Sequence, residues 1–247
     1  MQTKRFKSFD GVEIAVHELG QGRPVVLLHG FLSSAQANWF APGIAQALVD
    51  AGRRVIAPDL RGHGASDAPT DLAAWPADVM VSDQLALVAH LGLTDYDLAG
   101  YSLGGRTAIR AAARGLTPRR MVIGGMGERG VMEAGPRAEM FEDAVRHGES
   151  AKDPASGRAI HKIMRQGGME PQAILGVLAS FHPTTEAEIA SIAALTLVIM
   201  GVDDHDNGSP SRLAALLQHG QVLMVPGHHA SAVASRELRE AMVRFLE

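Results

Sequence analysis

The stretch Asp97-Leu98-Ala99-Gly100-Tyr101-Ser102-Leu103-Gly104-Gly105 reads as a short apolar strand, a tight turn carrying G-x-S-x-G, and the start of an alanine-rich helix that runs to Arg114. A serine at such a turn brings the backbones of strand and helix together, and only small residues two positions before and after it permit the approach. Gly100 and Gly104 meet that demand. The following helix directs the positive end of its dipole at the serine.

The rest of the chain supplies the neighbours such a unit needs. Eight segments read as strands: 5–8, 12–18, 24–28, 53–57, the segment before Ser102, 121–123, 195–200 and 221–225. The first two are joined at Asp10-Gly11, a hairpin turn signal. Pro24-Val-Val-Leu-Leu28 is apolar throughout, as a strand buried on both faces should be. Helical patterns over 44–51, 79–91, 103–114, 211–217 and 233–246 alternate with these strands. The alternation predicts an α/β chain whose sheet is mostly parallel, eight-stranded and covered by helices on both faces. Between Gly124 and about Ala193 no strand is convincing, and helices are predicted over 137–147, 159–166, 171–181 and 185–192. The expected organisation is therefore a core of residues 1–125 and 193–247, with a small helical lid inserted over residues 126–192.

Composition narrows the function classes. Of 247 residues, 46% are hydrophobic, and the formal net charge is −4, which gives no electrostatic case for nucleic acid or an anionic membrane as partner. There is no cysteine, hence no disulfide framework, thiolate metal site or thiol nucleophile. The first ten residues are polar and lack a signal-peptide apolar region, so a cytoplasmic location is expected. No feature asks for a cofactor, and oligomeric state is not legible.

A serine hydroxyl becomes a useful nucleophile only when a base removes its proton. Two adjacent histidines, His228 and His229, follow the last strand. Three acids, Asp203, Asp204 and Asp206, follow the strand before it. Serine, then acid, then histidine, each just past a strand end, is the order of a hydrolase triad on this kind of sheet. Competing motifs are weaker. Gly125-Met-Gly-Glu-Arg-Gly130 matches G-x-G-x-x-G, but the strand and acidic residue that a dinucleotide site requires do not follow. The acids and His205 around 203–206 are too close in sequence to converge on one metal without further ligands. Asn207-Gly208-Ser209 is a glycosylation sequon that reads here as a turn.

With its elbow, the segment His29-Gly30-Phe31 after the third strand, and the turn Asp59-Leu-Arg-Gly-His-Gly-Ala-Ser66, the chain resembles lidded members of the α/β-hydrolase fold over nearly its whole length. The resemblance implies Ser102 as nucleophile, Asp204 as the acid and His229 as the base, with the backbone N–H groups of Phe31 and Leu103 as the oxyanion hole. It also marks Glu128 as the place where some members carry the acid. His29 would anchor the oxyanion loop, and His29, Trp39, Trp75 and Tyr101 are candidates to line the substrate pocket. The serine separates the chain from members with an elbow aspartate, such as haloalkane dehalogenases and epoxide hydrolases. The activity implied is hydrolysis of a small or medium carboxylic ester or lactone through an acyl-enzyme. Cleavage of a C–C bond in a diketone-like substrate, thioester hydrolysis and perhydrolysis are alternatives on the same triad. A non-catalytic ligand receptor is the alternative from another class.

Overall fold

The computed structural model describes residues 1–133 and 135–247. Strands β1 (Gln2–Lys7), β2 (Glu13–Leu19), β3 (Arg23–Leu28), β4 (Arg53–Pro58), β5 (Asp97–Tyr101), β6 (Arg120–Gly124), β7 (Leu195–Gly201) and β8 (Gly220–Val225) form one sheet in the order β1-β2-β4-β3-β5-β6-β7-β8. Only β2 runs against its neighbours, and every pairing from β4 to β8 is parallel. The reversal is made at Asp10-Gly11, where Gly11 takes φ 89° and the Asp10 carboxylate accepts the Val12 N–H.

Helices α1 (Ile44–Asp50), α2 (Val79–His90) and α3 (Leu103–Ala113) occupy the first crossovers. Between β6 and β7 come α4 (Glu128–Met132), α5 (Gly135–His147), α6 (Pro154–Gly167), α7 (Pro171–Ala179) and α8 (Glu186–Ala190). The chain ends with α9 (Pro210–Leu216), α10 (His229–Ala232) and α11 (Arg236–Leu246). The period-two alternation of β3 shows why its sequence is apolar throughout. Val25 and Leu27 pack with Ile44 and Leu48 of α1 and with Leu238 and Met242 of α11. Val26 and Leu28 pack on the other face with Leu87 of α2 and Ile109 of α3. Each such side chain contributes roughly 1.5–3 kcal/mol on burial, so both faces must be covered. The insertion has a small core of its own, built from Val145, Ile160, Met164 and Ile174, on which Phe31 and Leu32 also pack. Among the described residues, no helix is long and apolar enough to cross a membrane.

Three details depart from the sequence reading. α4 was not anticipated: a five-residue helix with a central glycine, burying only Glu128 and Val131, leaves no periodic signature. The last helix is split, because the Ser235 hydroxyl accepts the Leu238 N–H and starts α11 afresh three residues after α10. Trp39 lies in a single helical turn and is 1% exposed within the apolar layer around α1, rather than in a loop at a pocket mouth. Trp75 is also buried, packed over Gly62 and Gly176 with its indole N–H donating to the Pro69 carbonyl at 3.0 Å.

Two buried polar clusters hold the strands that carry the site. At the start of β5, Asp97 accepts from Arg53, from Arg119 through Nε and Nη2 at 3.1 Å each, and from the Arg120 N–H. Both arginines also donate to the Leu246 carbonyl, which ties the C-terminal helix to the sheet. At the other end, the loop after β3 hangs on two histidines. The Leu60 N–H donates to His29 Nε2 at 2.9 Å, and the Leu32 N–H to His63 Nε2 at 3.3 Å, while each Nδ1–H donates to a backbone carbonyl. Asn38 Oδ1 accepts the Gly30 N–H at 2.9 Å. An imidazole that accepts at Nε2 must be neutral. Burial enforces this by lowering both pKa values, that of His63 to about 3 with help from the neighbouring His29.

Replacing Asp97 by Asn should remove about 3–5 kcal/mol of stability in urea unfolding at neutral pH, because the buried Arg53 loses its counter-charge. A loss under about 1 kcal/mol would show that the cluster is not fixing the sheet. The histidines predict an acid dependence. An unfolded histidine protonates near pH 6.5, whereas buried His63 resists until about pH 3. Between those values the unfolded chain binds more protons, so stability falls as pH falls, by about 1.4 kcal/mol per pH unit for each such group. His63→Gln keeps an acceptor for Leu32, and its stability loss between pH 7 and pH 4.5 should be smaller than wild type by about 2–3 kcal/mol. Equal losses would mean that His63 is protonated in the native state.

Candidate active site

Ser102 sits between β5 and α3 with φ 53° and ψ −116°, a conformation that costs a non-glycine residue of order 1–3 kcal/mol. The surroundings hold it there. Its N–H donates to the Gly124 carbonyl at 2.8 Å, and its own carbonyl accepts the Arg106 N–H at 2.9 Å. A Cβ on Gly100 would overlap the Gly104 carbonyl, and one on Gly104 would overlap the Leu28 carbonyl. The two glycines thus let α3 start directly against β5 and β3, which puts Ser102 at the carboxyl edge of the sheet.

The loops after β7 and β8 deliver the other two groups to the same edge. Ser102 Oγ lies 2.9 Å from His229 Nε2, and His229 Nδ1 lies 2.7 Å from Asp204 Oδ2. The Asp204 side chain is fully buried, and its other oxygen accepts the Asp206 N–H at 3.1 Å. With Nδ1–H donating to Asp204, Nε2 is left as the acceptor for the serine proton. Tyr101 fixes this loop from behind: its hydroxyl donates to the His229 carbonyl at 2.6 Å, and its ring lies 5.6 Å from the imidazole. Burial, followed by the fields of Asp204 and Asp206, pushes the Tyr101 phenol well above its ordinary pKa, so it stays a donor.

The alternatives left open by the sequence are occupied elsewhere. His228 is exposed and caps α10, accepting the Ala230 N–H at 3.3 Å. Asp203 is exposed, and Glu128 accepts the Ser209 N–H. Asp206 pairs with Arg137 at 2.8 Å. Partial burial would raise the Asp206 pKa, but the Arg137 guanidinium outweighs it and holds the carboxyl below the usual range. Asp204, Asp206 and His229 bring ligand-type atoms within 4.8 Å of one another, the one such group among the described residues. His229 Nδ1 and Asp204 Oδ2 are spent on each other, and Asp206 on Arg137.

Ser102 opens into a cavity of about 260 Å³. Phe31 and Leu103 line it beside the serine, and Met126, Phe141, Leu178 and Phe181 supply apolar walls. Leu103 is the first residue of α3, so its N–H has no acceptor within the helix. The Phe31 N–H also meets no acceptor among the described residues. Of the other pocket candidates, His29, Trp39, Tyr101 and Trp75 do not line the cavity. They are buried behind it, where His29 and Tyr101 position loops and the two tryptophans fill the core. Two buried polar residues of the site were missed. Asn207, read only as part of a turn, is 3% exposed and donates to the Gly125 carbonyl at 2.8 Å, with Nδ2 3.5 Å from His229 Nδ1. Arg106, one arginine in an alanine-rich helix, lines the cavity, and no local pattern distinguishes it from a surface residue.

Residues 23–121 match the alpha/beta hydrolase fold family. A non-heme chloroperoxidase of Kitasatospora aureofaciens is 41% identical over 110 residues, which is 44% of this chain and 38% of that protein; the match thus spans well under half of the relative's length. A non-heme haloperoxidase of Rhodococcus erythropolis is 28% identical over 96% of this chain and 97% of its own. Among solved structures, a thermophilic esterase from Thermogutta terrifontis superposes with a TM-score of 0.77 at 24% identity, covering 100% of this chain and 98% of that one. The family match includes the Ser102 turn, the strand order extends over the whole sheet, and the protein has the α/β-hydrolase fold, with a lid-like helical insertion between β6 and β7.

Proposed function

We propose that this protein is a carboxylic ester hydrolase that works through an acyl-enzyme on Ser102. One observation carries the reading: a strained serine whose Oγ is 2.9 Å from an imidazole that is itself 2.7 Å from a buried carboxylate, all opening on a cavity with apolar walls and a charged rim. Ser102 Oγ attacks the acyl carbon while His229 Nε2 takes its proton, and Asp204 stabilises the imidazolium that forms. The Phe31 and Leu103 N–H groups donate to the oxyanion of the tetrahedral intermediate, an effect of about 3–4 kcal/mol for each donor in comparable sites. His229 then protonates the departing alcohol, and water, activated by the same base, releases the acid. Residues 126–192 act as the lid: Met126, Phe141, Leu178 and Phe181 from this segment wall the cavity. A space of about 260 Å³ suits a small acyl or alcohol group better than a long lipid chain.

Intact-mass analysis after exposure to a fluorophosphonate should show one adduct, mapped to Ser102 and absent from Ser102→Ala. The same substitution should lower kcat on short-chain esters by at least about 10⁴-fold. Folded protein that takes no adduct and cleaves no member of a panel of esters, lactones and diketones would sink the enzymatic reading in favour of a ligand-binding one. Turnover of diketones alone would move the reaction to C–C cleavage.

A further inference from the structure

Among the described residues four arginines are buried, and three of them are answered by acids. Arg53 meets Asp97, Arg61 meets Asp10 and Asp83, and Arg110 meets Asp78 and Glu188. Arg106 is the exception. It is 8% exposed, and no carboxylate lies within ion-pair distance of it among the described residues. Its Nη1 donates to the carbonyls of Gly130 and Glu133 at 2.7 and 2.8 Å, its Nη2 to that of His182 at 3.3 Å, and its guanidinium lies 5.0 Å over the Phe181 ring. Among the described residues, these three bonds leave two of the five N–H donors, one on Nε and one on Nη2, without a partner. Burial lowers its pKa to about 10, with Asp78 opposing the shift from a distance; Asp78 is itself bound by Arg110 at 2.8 Å. At neutral pH the group remains a cation.

The unanswered arginine is also the buried one that lines the cavity. The other charged groups there are Arg129, Glu133, Arg137 and Asp206, and Asp206 is neutralised by Arg137. Arg106 and Arg129 therefore face Glu133 alone, which leaves the cavity one positive charge in excess. Arg106 lies one turn of α3 beyond Ser102, and its backbone N–H donates to the Ser102 carbonyl at 2.9 Å. We propose that the cavity recognises a carboxylate carried by the substrate, a few bonds from the ester carbonyl, and that Arg106 is its anchor. The two spare N–H donors match the two oxygens of a carboxylate, and a charge-assisted pair of this kind in a partly dry site favours the anion over its neutral isostere. This rests on the ester-hydrolase reading above and specifies its substrate class.

Two matched pairs test it: monoethyl glutarate against ethyl 5-methylhexanoate for a carboxylate on the acyl side, and 4-acetoxybenzoate against its methyl ester for one on the alcohol side. Hydrolysis is followed by base uptake at constant pH. On one of the pairs, wild type should prefer the anion in kcat/KM by about 10- to 100-fold. Arg106→Gln should collapse that ratio toward one through KM, and Arg106→Lys should restore part of it. Should Arg106→Gln fail to fold, inhibition of wild type by glutarate against glutaramide gives the same comparison without a variant. Hydrolysis with no anionic preference on either pair, and equal inhibition by acid and amide, overturns the carboxylate anchor and leaves the hydrolase intact. No turnover together with no fluorophosphonate adduct overturns the hydrolase reading, and this inference with it.

Discussion

Everything at this site depends on how closely α3 approaches the sheet. The helix begins against the carbonyls of Leu28 and Gly100, at a distance that no side chain tolerates at position 100 or 104. That approach forces Ser102 into positive φ, and the strain is held by the sheet on one side and by the first turn of α3 on the other. A looser contact would relax the serine and lower it toward the strand. It would also withdraw the Leu103 N–H and the helix dipole from the place where the proposed reaction develops negative charge. The cluster at Asp97 belongs to the same constraint, because it fixes the start of the strand whose end carries the serine.

The second donor of the proposed oxyanion hole, the Phe31 N–H, has a different kind of support. No regular element holds Gly30–Leu32; Asn38 and His63 accept the Gly30 and Leu32 N–H groups, and the His29 Nδ1–H donates to the Gly30 carbonyl. Neutral imidazoles suit this task because they present one donor and one acceptor in a rigid plane, and burial keeps them neutral across the physiological range. A protonated ring would turn its acceptor into a donor facing another N–H. The geometry of the loop is thus coupled to pH through the fold, independently of the base that performs proton transfer.

Most of this arrangement was legible in the residues because it rests on local or periodic signals. Apolar runs marked the strands, Asp10-Gly11 marked the hairpin, and G-x-S-x-G in strand-turn-helix context marked the elbow. The choice of Asp204 over Asp203 and of His229 over His228 came from resemblance, since adjacent residues of one type look alike until the loop is folded. The tryptophans were misplaced for a related reason: Trp39 and Trp75 lie between regular elements in sequence, and tertiary packing alone shows that they fill the core. Asn207 and Arg106 escaped notice because their roles consist of contacts with segments far away in the chain, 82 residues in one case and up to 76 in the other.

Those long-range contacts divide the insertion into parts held with very different strength. α4 is locked to the core: Arg106 binds the Gly130 carbonyl, Asn207 accepts the N–H groups of Gly127 and Gly130 through its backbone, and Glu128 binds the Ser209 N–H. α7 is held almost as firmly, with Ala173 and Val177 fully buried and Trp75 against Gly176. By contrast, α6 buries only Gly157, Ile160 and Met164, and α5 reaches the acid loop through Arg137 and Asp206, an exposed pair worth about 0–1 kcal/mol. Moving α5 and α6 away from α7 would uncover the small core of Val145, Ile160, Met164 and Ile174 and the Phe31 and Leu32 side chains packed on it, whereas moving α4 or α7 would disturb the loops that carry Asp204 and the turn that carries His63. The Phe141 side of the cavity is therefore held by apolar packing onto the loop after β3, and the Arg106 wall by hydrogen bonds to α4.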